Sequence, residues 1–339
     1  MSQRMNEAAL VSFARALIDI DSTTGREQDV AAFIARTLRD LGWHVDEQPL
    51  KDGRFNVIAK ASGAGAAGPR VVLSTHFDCV PPFFPSRVEG NRLYGRGACD
   101  AKGILAAQVA AAERARQAGR TDVGLLFVAG EERGSDGAKA ANTWPTTSRF
   151  LINGEPTDNR LGAATKGVYR ARLAATGRAA HSSLPELGES AIDKIIDALV
   201  AVRGVTWPSD PLFGVTNYSV GLISGGVAPN VIAPNASAEL MFRTVGDYLD
   251  VRAMLASTVG PLASVEDVLV VPPVRLHTVA GFETAVFAYT TDVPFLSAWG
   301  TPMLLGPGSI TVAHTDDEYV EIAELSKAVD CYETLLEIV

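Results

Sequence analysis

The sequence predicts an α/β protein in which a mixed or parallel sheet covered by helices is interrupted by an inserted split β-α-β unit. Three observations carry this expectation. Strand-like and helix-like segments alternate as far as Glu155. After Lys166 the order becomes strand, helix, strand, strand, helix, strand. From Phe282 helix and strand return, ending in a closing helix over Val320 to Ile338. With 339 residues, the chain also exceeds the roughly 250–300 at which a single core usually splits.

The elements follow from local pattern. Glu7 to Leu41 reads as two helices broken at Asp21-Ser22-Thr23-Thr24-Gly25, the second carrying Ala31, Phe33, Ile34 and Leu38 mostly on one face. Phe55 to Lys60 and Arg70 to Thr75 read as strands joined by a Gly- and Ala-rich connection over Ala61 to Pro69. An alanine-rich helix spans Ala101 to Gln117, and strands precede Glu131 and Glu155. The inserted module comprises Val168 to Thr176, a helix over Ser190 to Val202, Tyr218 to Ile223, Ala236 to Val245, a helix over Tyr248 to Val259, and Val265 to Val271. That order is the ferredoxin-like β-α-β-β-α-β unit. The expected domains are therefore a discontinuous one over 1–165 and 276–339, and a lid or dimerisation module over 166–275.

Composition excludes several classes. A formal charge of −9 and a pI near 5.1, without a basic stripe, argue against a nucleic-acid partner. No apolar run reaches the roughly 18 residues of a membrane helix, and the polar start lacks a secretory signal. Cys79, Cys99 and Cys331 form an odd set without CxxC spacing, so a reduced, cytoplasmic protein is expected. Gly63 to Gly68 satisfies GxGxxG, but Pro69-Arg70 and a strand follow where a dinucleotide site needs a helix. HExxH, GxSxG and Walker A patterns are absent from the sequence.

The residues with chemistry sit at strand ends. Val71 to Thr75 runs into His76-Phe77-Asp78, Gly124 to Gly130 into Glu131-Glu132, and Phe150 to Gly154 into Glu155. Asp100 closes Gly95-Arg96-Gly97-Ala98-Cys99, and His314 comes late. In open α/β sheets ligands bind beyond the carboxyl ends of the strands. His, Asp and Glu without thiolate suit hard-to-borderline divalent ions. Asp78 can accept the proton of the His76 nitrogen turned away from metal, and Asp100 can bridge two ions and cap the following helix. Glu131 and Glu132, if extended, point apart, so one can bind metal while the other serves as a base. Bound divalent metal lowers the pKa of water to about 7, and Glu131 can carry the proton to a leaving nitrogen.

Together these segments resemble the M20 metallopeptidase and deacylase family. His76-Phe77-Asp78-Cys79-Val80-Pro81 is similar to its HxDxVP motif, and Gly95 to Gly103 to its GRGxxDxKG motif. Glu131-Glu132, Gly154-Glu155-Pro156-Thr157 and Ala313-His314 fit the remaining positions in order. The resemblance implies two zinc ions, with cobalt able to substitute. His76, Asp100 and Glu155 would hold one, and Asp100, Glu132 and His314 the other. It further implies Glu131 as general base and acid, Asp78 orienting His76, and His181 reaching a partner subunit's site in a homodimer formed through the lid. Arg243, Asn230 and Gly308 would bind substrate. Gly-Glu-Pro-Thr and the Gly306-Pro307-Gly308 to His314 segment look most like acetylornithine deacetylases and succinyl-diaminopimelate desuccinylases, although Arg133 matches neither. The expected activity is removal of an acyl group, foremost acetyl, from a small N-acyl amino acid. The alternatives are a metal-dependent exopeptidase on small peptides and a catalytically silent metal- or metabolite-binding relative. Cys79 and Cys99 are expected to be buried rather than ligating, and His44 and His277 to be structural.

Overall fold

The computed structural model describes residues 5–63 and 68–339. The polar start over 1–4, and residues 64–67 of the Gly- and Ala-rich connection and its GxGxxG pattern, lie outside the described residues. The main elements, in chain order, are helices α1 (Glu7–Ile18) and α2 (Gln28–Asp40), strands β1 (Trp43–Pro49), β2 (Phe55–Ala61) and β3 (Val71–His76), and helix α3 (Lys102–Gln117). Strand β4 (Val123–Val128), helix α4 (Asp136–Ala141) and strand β5 (Phe150–Asn153) follow. Next come β6 (Gly167–Thr176), α5 (Ala191–Arg203), β7 (Asn217–Gly225), β8 (Asn235–Thr244), α6 (Tyr248–Val259) and β9 (Ser264–Val271). Strand β10 (Thr301–Leu304) and helix α7 (Ile322–Ile338) close the chain.

The chain forms two compact units. Met1–Ala163, Leu276–Ala285 and Thr291–Val339 make the first, and Ala164–Arg275 with Val286–Thr290 the second. The first unit holds a six-stranded mixed sheet in the order β1-β2-β4-β3-β5-β10. Strands β4, β3, β5 and β10 are mutually parallel, while β2 runs antiparallel to β4 and β1 to β2. Both central strands β3 and β4 are buried along their whole length, which is why they read as near-continuous apolar runs. Leu105, Val109, Ile34 and Tyr332 belong to the larger core, and Leu126, Leu151 and Trp299 to a second, smaller one.

The second unit is an antiparallel sheet in the order β7-β8-β6-β9. Along β8, buried and part-exposed residues alternate, the period-two signature of a sheet covered on one face. Ile195, Ala198 and Val202 of α5 and Val251 and Leu255 of α6 share its core with Tyr169, Leu240 and Phe242. Among the described residues, no helix is long and apolar enough to cross a membrane.

Strand β1 was not expected from the sequence. Its run Trp43-His44-Val45-Asp46-Glu47-Gln48 carries little apolar signal, because it is an edge strand paired, among the described residues, only with β2. Asp100 does not cap α3 either. The helix begins after Ala101 without a side-chain cap, and its first amides, those of Lys102 and Gly103, donate to the Gly97 carbonyl.

Candidate metal centre

Because β4, β3, β5 and β10 are parallel, their carboxyl ends lie along one edge of the sheet. His76 is the last residue of β3, Glu131 and Glu132 follow β4, Glu155 follows β5, and His314 lies beyond β10. Asp100 comes from the segment before α3. Topology alone thus gathers residues separated by more than two hundred positions.

Five of the expected residues meet in two groups. Ligand atoms of His76, Asp100 and Glu155 lie within 4.8 Å of one another, and so do those of Asp100, Glu132 and His314. Asp100 belongs to both. Its Oδ1 is 2.9 Å from His76 Nε2 and its Oδ2 is 3.2 Å from His314 Nε2, which is also 2.9 Å from Glu132 Oε1. His76, Asp100 and Glu155 are buried, whereas the His314 side chain is 47% exposed and so stands at the mouth.

The donor set fits divalent ions. One Glu155 oxygen is buried with no hydrogen-bond partner among the described residues, an expensive state for a carboxylate unless a cation is to be bound. The charge states of the metal-free chain point the same way. Burial raises the Asp100 carboxyl, but hydrogen bonds from His314 and His76 outweigh it and hold the group well below the usual carboxylate range. Hydrogen bonds to Asp100 and Glu132 raise His314 to about 10. Burial opposes protonation of His76, yet Asp100 and Asp78 push its pKa well above the ordinary value. Burial drives Glu155 well up and Glu132 up; the Asp100 carboxylate adds to both, and Glu132 adds to Glu155. The raised groups thus favour protons where cations would otherwise balance the charge.

Glu131 belongs to neither cluster. Burial pushes its carboxyl well above the ordinary range; His76 opposes this, and Asp292, Glu155 and Glu132 add to it. Glu131 and Glu132 are not extended, as the sequence had suggested. They form a single 3-10 turn, Glu131–Arg133, bracketed by Gly130 and Gly134, both with positive φ. The tight turn, rather than strand alternation, separates their directions.

Asp78 also departs from expectation. His76 Nδ1 is 3.0 Å from the Asp78 backbone carbonyl and 3.5 Å from its carboxylate, so the main chain orients the ring. The carboxylate instead accepts the amides of Glu131 at 3.0 Å and Glu132 at 3.2 Å, and the Thr24 hydroxyl at 2.9 Å. One residue thereby holds a ligand and the turn of the base.

Three further residues carry the site without having been singled out in the sequence. Thr24 supports Asp78, Asp292 lies buried near Glu131, and Glu318 lies buried against the Asp100 segment. Asp292, pushed to about 7 by burial, has both oxygens unbonded among the described residues, although Ser135 faces it. Both cysteines near the site are buried. Burial raises Cys79 to about 12 and Cys99 well above the ordinary thiol, and among the described residues neither belongs to a cluster. His277 packs its ring against Phe150, and His44 is an exposed residue 3.6 Å from Asp46.

Gly308 has φ +80, and a Cβ there would lie 2.6 Å from Cys99 Sγ, so no side chain fits. In the second unit, His181 is exposed and its Nδ1 accepts from the Ser183 amide at 3.2 Å. That bond leaves the other ring nitrogen, Nε2, to carry the proton. Asn230 adjoins it, its carbonyl accepting the Ser182 amide at 3.0 Å. Arg243 is half-buried on β8 and forms no ion pair among the described residues; desolvation alone lowers its pKa.

Comparison with known proteins gives a consistent result. Residues 72–338 match the family described as peptidase family M20/M25/M40. A probable carboxypeptidase of Aspergillus terreus is 39% identical, the match covering 98% of this chain and 87% of that protein. A tripeptidase structure from Staphylococcus aureus superposes with TM-score 0.82 at 20% identity, covering 99% of each chain. A dinuclear metal-binding peptidase of Bacillus subtilis gives TM-score 0.73 at 15% identity, over 98% of this chain and 99% of that one. The two structures share the fold.

Proposed function

This chain belongs to peptidase family M20/M25/M40, and from that premise we propose that it is a two-metal exopeptidase that removes the carboxyl-terminal residue of small peptides. The observation that carries the metal chemistry is Asp100, whose two oxygens serve two separate clusters. Zinc is the proposed ion, with cobalt as a substitute, since the donors are imidazole and carboxylate without thiolate. When bound, the pair would polarise the scissile carbonyl and acidify water.

The chain's own residues do the rest. Glu131, free of both clusters, takes the proton of the attacking water and delivers it to the leaving nitrogen. Asp78 holds the Glu131 and Glu132 amides, so base and ligand keep their spacing. Gly308 gives close backbone access beside His314. His181, with Nδ1 occupied by the Ser183 amide, offers Nε2–H to the carbonyl oxygen. Arg243, a half-buried guanidinium without an acidic partner among the described residues, suits the carboxylate of the terminal residue, and Asn230 assists it.

The second unit is proposed as a ferredoxin-like lid through which two copies pair, over 166–275. Two features support this. Strand β7 is an edge strand with Val220, Leu222 and Ile223 exposed, and α5 exposes Ile192, Ile196 and Val200 in one stripe. An uncovered apolar edge strand is a template for pairing with another chain. The compartment proposed for it is the cytoplasm, in keeping with three free cysteines.

Carboxypeptidase and N-acyl amino acid deacylase cleave the same bond, an amide beside a free carboxylate, and differ in the acyl side. The sequence pointed to a deacetylase; the carboxypeptidase name of the 39% identical relative favours the peptide. The test is a panel of short peptides, their carboxyl-terminal amides and N-acetyl amino acids, with released amine identified. Release of the carboxyl-terminal residue from free-acid peptides alone is expected. Faster cleavage of N-acetyl amino acids, or release of the amino-terminal residue, would refute the reading.

A further inference from the structure

Glu318 is fully buried and lies four residues beyond His314. Its Oε1 accepts the amides of Gly97, Cys99 and Asp100, each at 3.0 Å, and its Oε2 accepts Arg96 Nη1 at 2.6 Å. Its backbone carbonyl accepts the Gly95 amide at 3.1 Å. One residue thus grips the whole Gly95–Asp100 segment through both side chain and main chain. A buried carboxylate persists only when its charge and lone pairs are met, and here three convergent amides and a guanidinium meet them.

The two clusters depend on this grip unequally. His76 ends β3 and Glu155 follows β5, adjacent parallel strands whose pairing fixes their ends. In the other cluster, Asp100 sits on the gripped segment itself. His314 stands in a left-handed conformation, φ 64, and is followed by exposed Thr315, Asp316 and Asp317 before the chain is buried again at Glu318. Glu318 is therefore a buried link between the two segments that supply Asp100 and His314, with four hydrogen bonds from its carboxylate where the Cys99 thiol adds one contact to the Ser309 carbonyl at 3.4 Å.

We propose that Glu318 is a positioning residue that sets the Asp100–His314 spacing, and with it the ion affinity of the Asp100–Glu132–His314 cluster in preference to the His76–Asp100–Glu155 cluster. This rests on the two-ion reading above. Loss of the grip frees two members of one cluster and a single member of the other.

The test is titration of the metal-stripped full chain with Co2+, by calorimetry and by visible absorption, for wild type, E318Q and H314A. Gln keeps an acceptor oxygen for the amides but sets an NH2 group against Arg96. In E318Q one binding event should weaken about 10–100-fold, the usual effect of losing a partner that orients a ligand. The other event should change only a few-fold, and the weakened one should be the event lost in H314A. General damage to folding would not select one event. E318D, one methylene shorter and unable to reach all four donors, should repeat the pattern and serves if E318Q does not fold. Equal weakening of both events, or none, would overturn the proposal. A wild-type chain binding fewer than two ions would overturn the two-ion reading, and the proposal with it.

Discussion

Replacing Glu131 with Gln separates catalysis from metal binding more cleanly than any other single change. The side chain keeps its volume, and the backbone amide of residue 131 can still donate to Asp78. No ligand is removed, since Glu131 belongs to neither cluster. What disappears is a group that can take and return a proton. General acid–base catalysis contributes about 10²–10⁴, so kcat should fall by that factor, about 2.7–5.4 kcal/mol in barrier. The structure adds a second expectation of opposite sign. Burial and the carboxylates of Asp292, Glu155 and Glu132 disfavour the charged Glu131, so a neutral isostere relieves repulsion in the metal-free chain. Its melting temperature should stay level or rise while activity collapses. The assays are steady-state kinetics on the best peptide of the panel, metal content, and thermal unfolding of the stripped protein. Turnover within a few-fold of wild type would refute the role of Glu131, and loss of bound metal would show that it is a ligand.

Further expectations follow from other parts of the chain. His181→Ala should lower kcat about 10²–10³ more than it raises KM, and co-expression with E131Q chains should restore part of the activity if the histidine serves the partner's site; no recovery in verified heterodimers would exclude that. Arg243→Ala should raise KM for free-acid peptides by at least about tenfold, the loss of a charge-assisted pair, with kcat changed less; an unchanged KM would remove Arg243 from the carboxylate site. Affinity for divalent ions should rise with pH, because His76 and His314 must shed protons that Asp100 and Glu132 hold in the metal-free chain. The same linkage destabilises the stripped protein as pH climbs. His314 is raised in the fold, so its contribution is full below the ordinary value near 6.5 and is lost as pH passes about 10. A melting temperature that rises across that window would contradict the assignment.

The ligand-bearing part of the site was legible because apolar parallel strands announce themselves as short continuous runs, and His76, Glu132 and Glu155 stand where those runs stop. Asp100 and His314 needed motif resemblance, since neither ends a strand. The supporting residues were harder to see. Glu318 meets Asp100 across 218 positions, a contact that no local pattern encodes. Asp78 was assigned to His76 through its side chain, yet the carboxylate turned out to serve the Glu131 turn. That turn itself had a signal that periodicity ignores, the glycines at 130 and 134 that permit positive φ. Strand β1 was missed because a polar edge strand lacks both apolar continuity and strict alternation. Substrate preference is the least legible feature, because the peptidase and deacylase readings require the same five ligands and the same base.

The most direct test of the account is metal analysis of the purified chain beside Asp100→Asn, after exhaustive dialysis against metal-free buffer and reloading with Zn2+. Two ions per chain are expected for the wild type, with activity abolished by chelation and restored by zinc. Because Asp100 contributes an oxygen to each cluster, the variant should lose affinity for both ions rather than one. A wild-type chain without bound divalent metal and indifferent to chelators, or an Asp100→Asn chain that still holds two ions with undiminished affinity, would contradict the account.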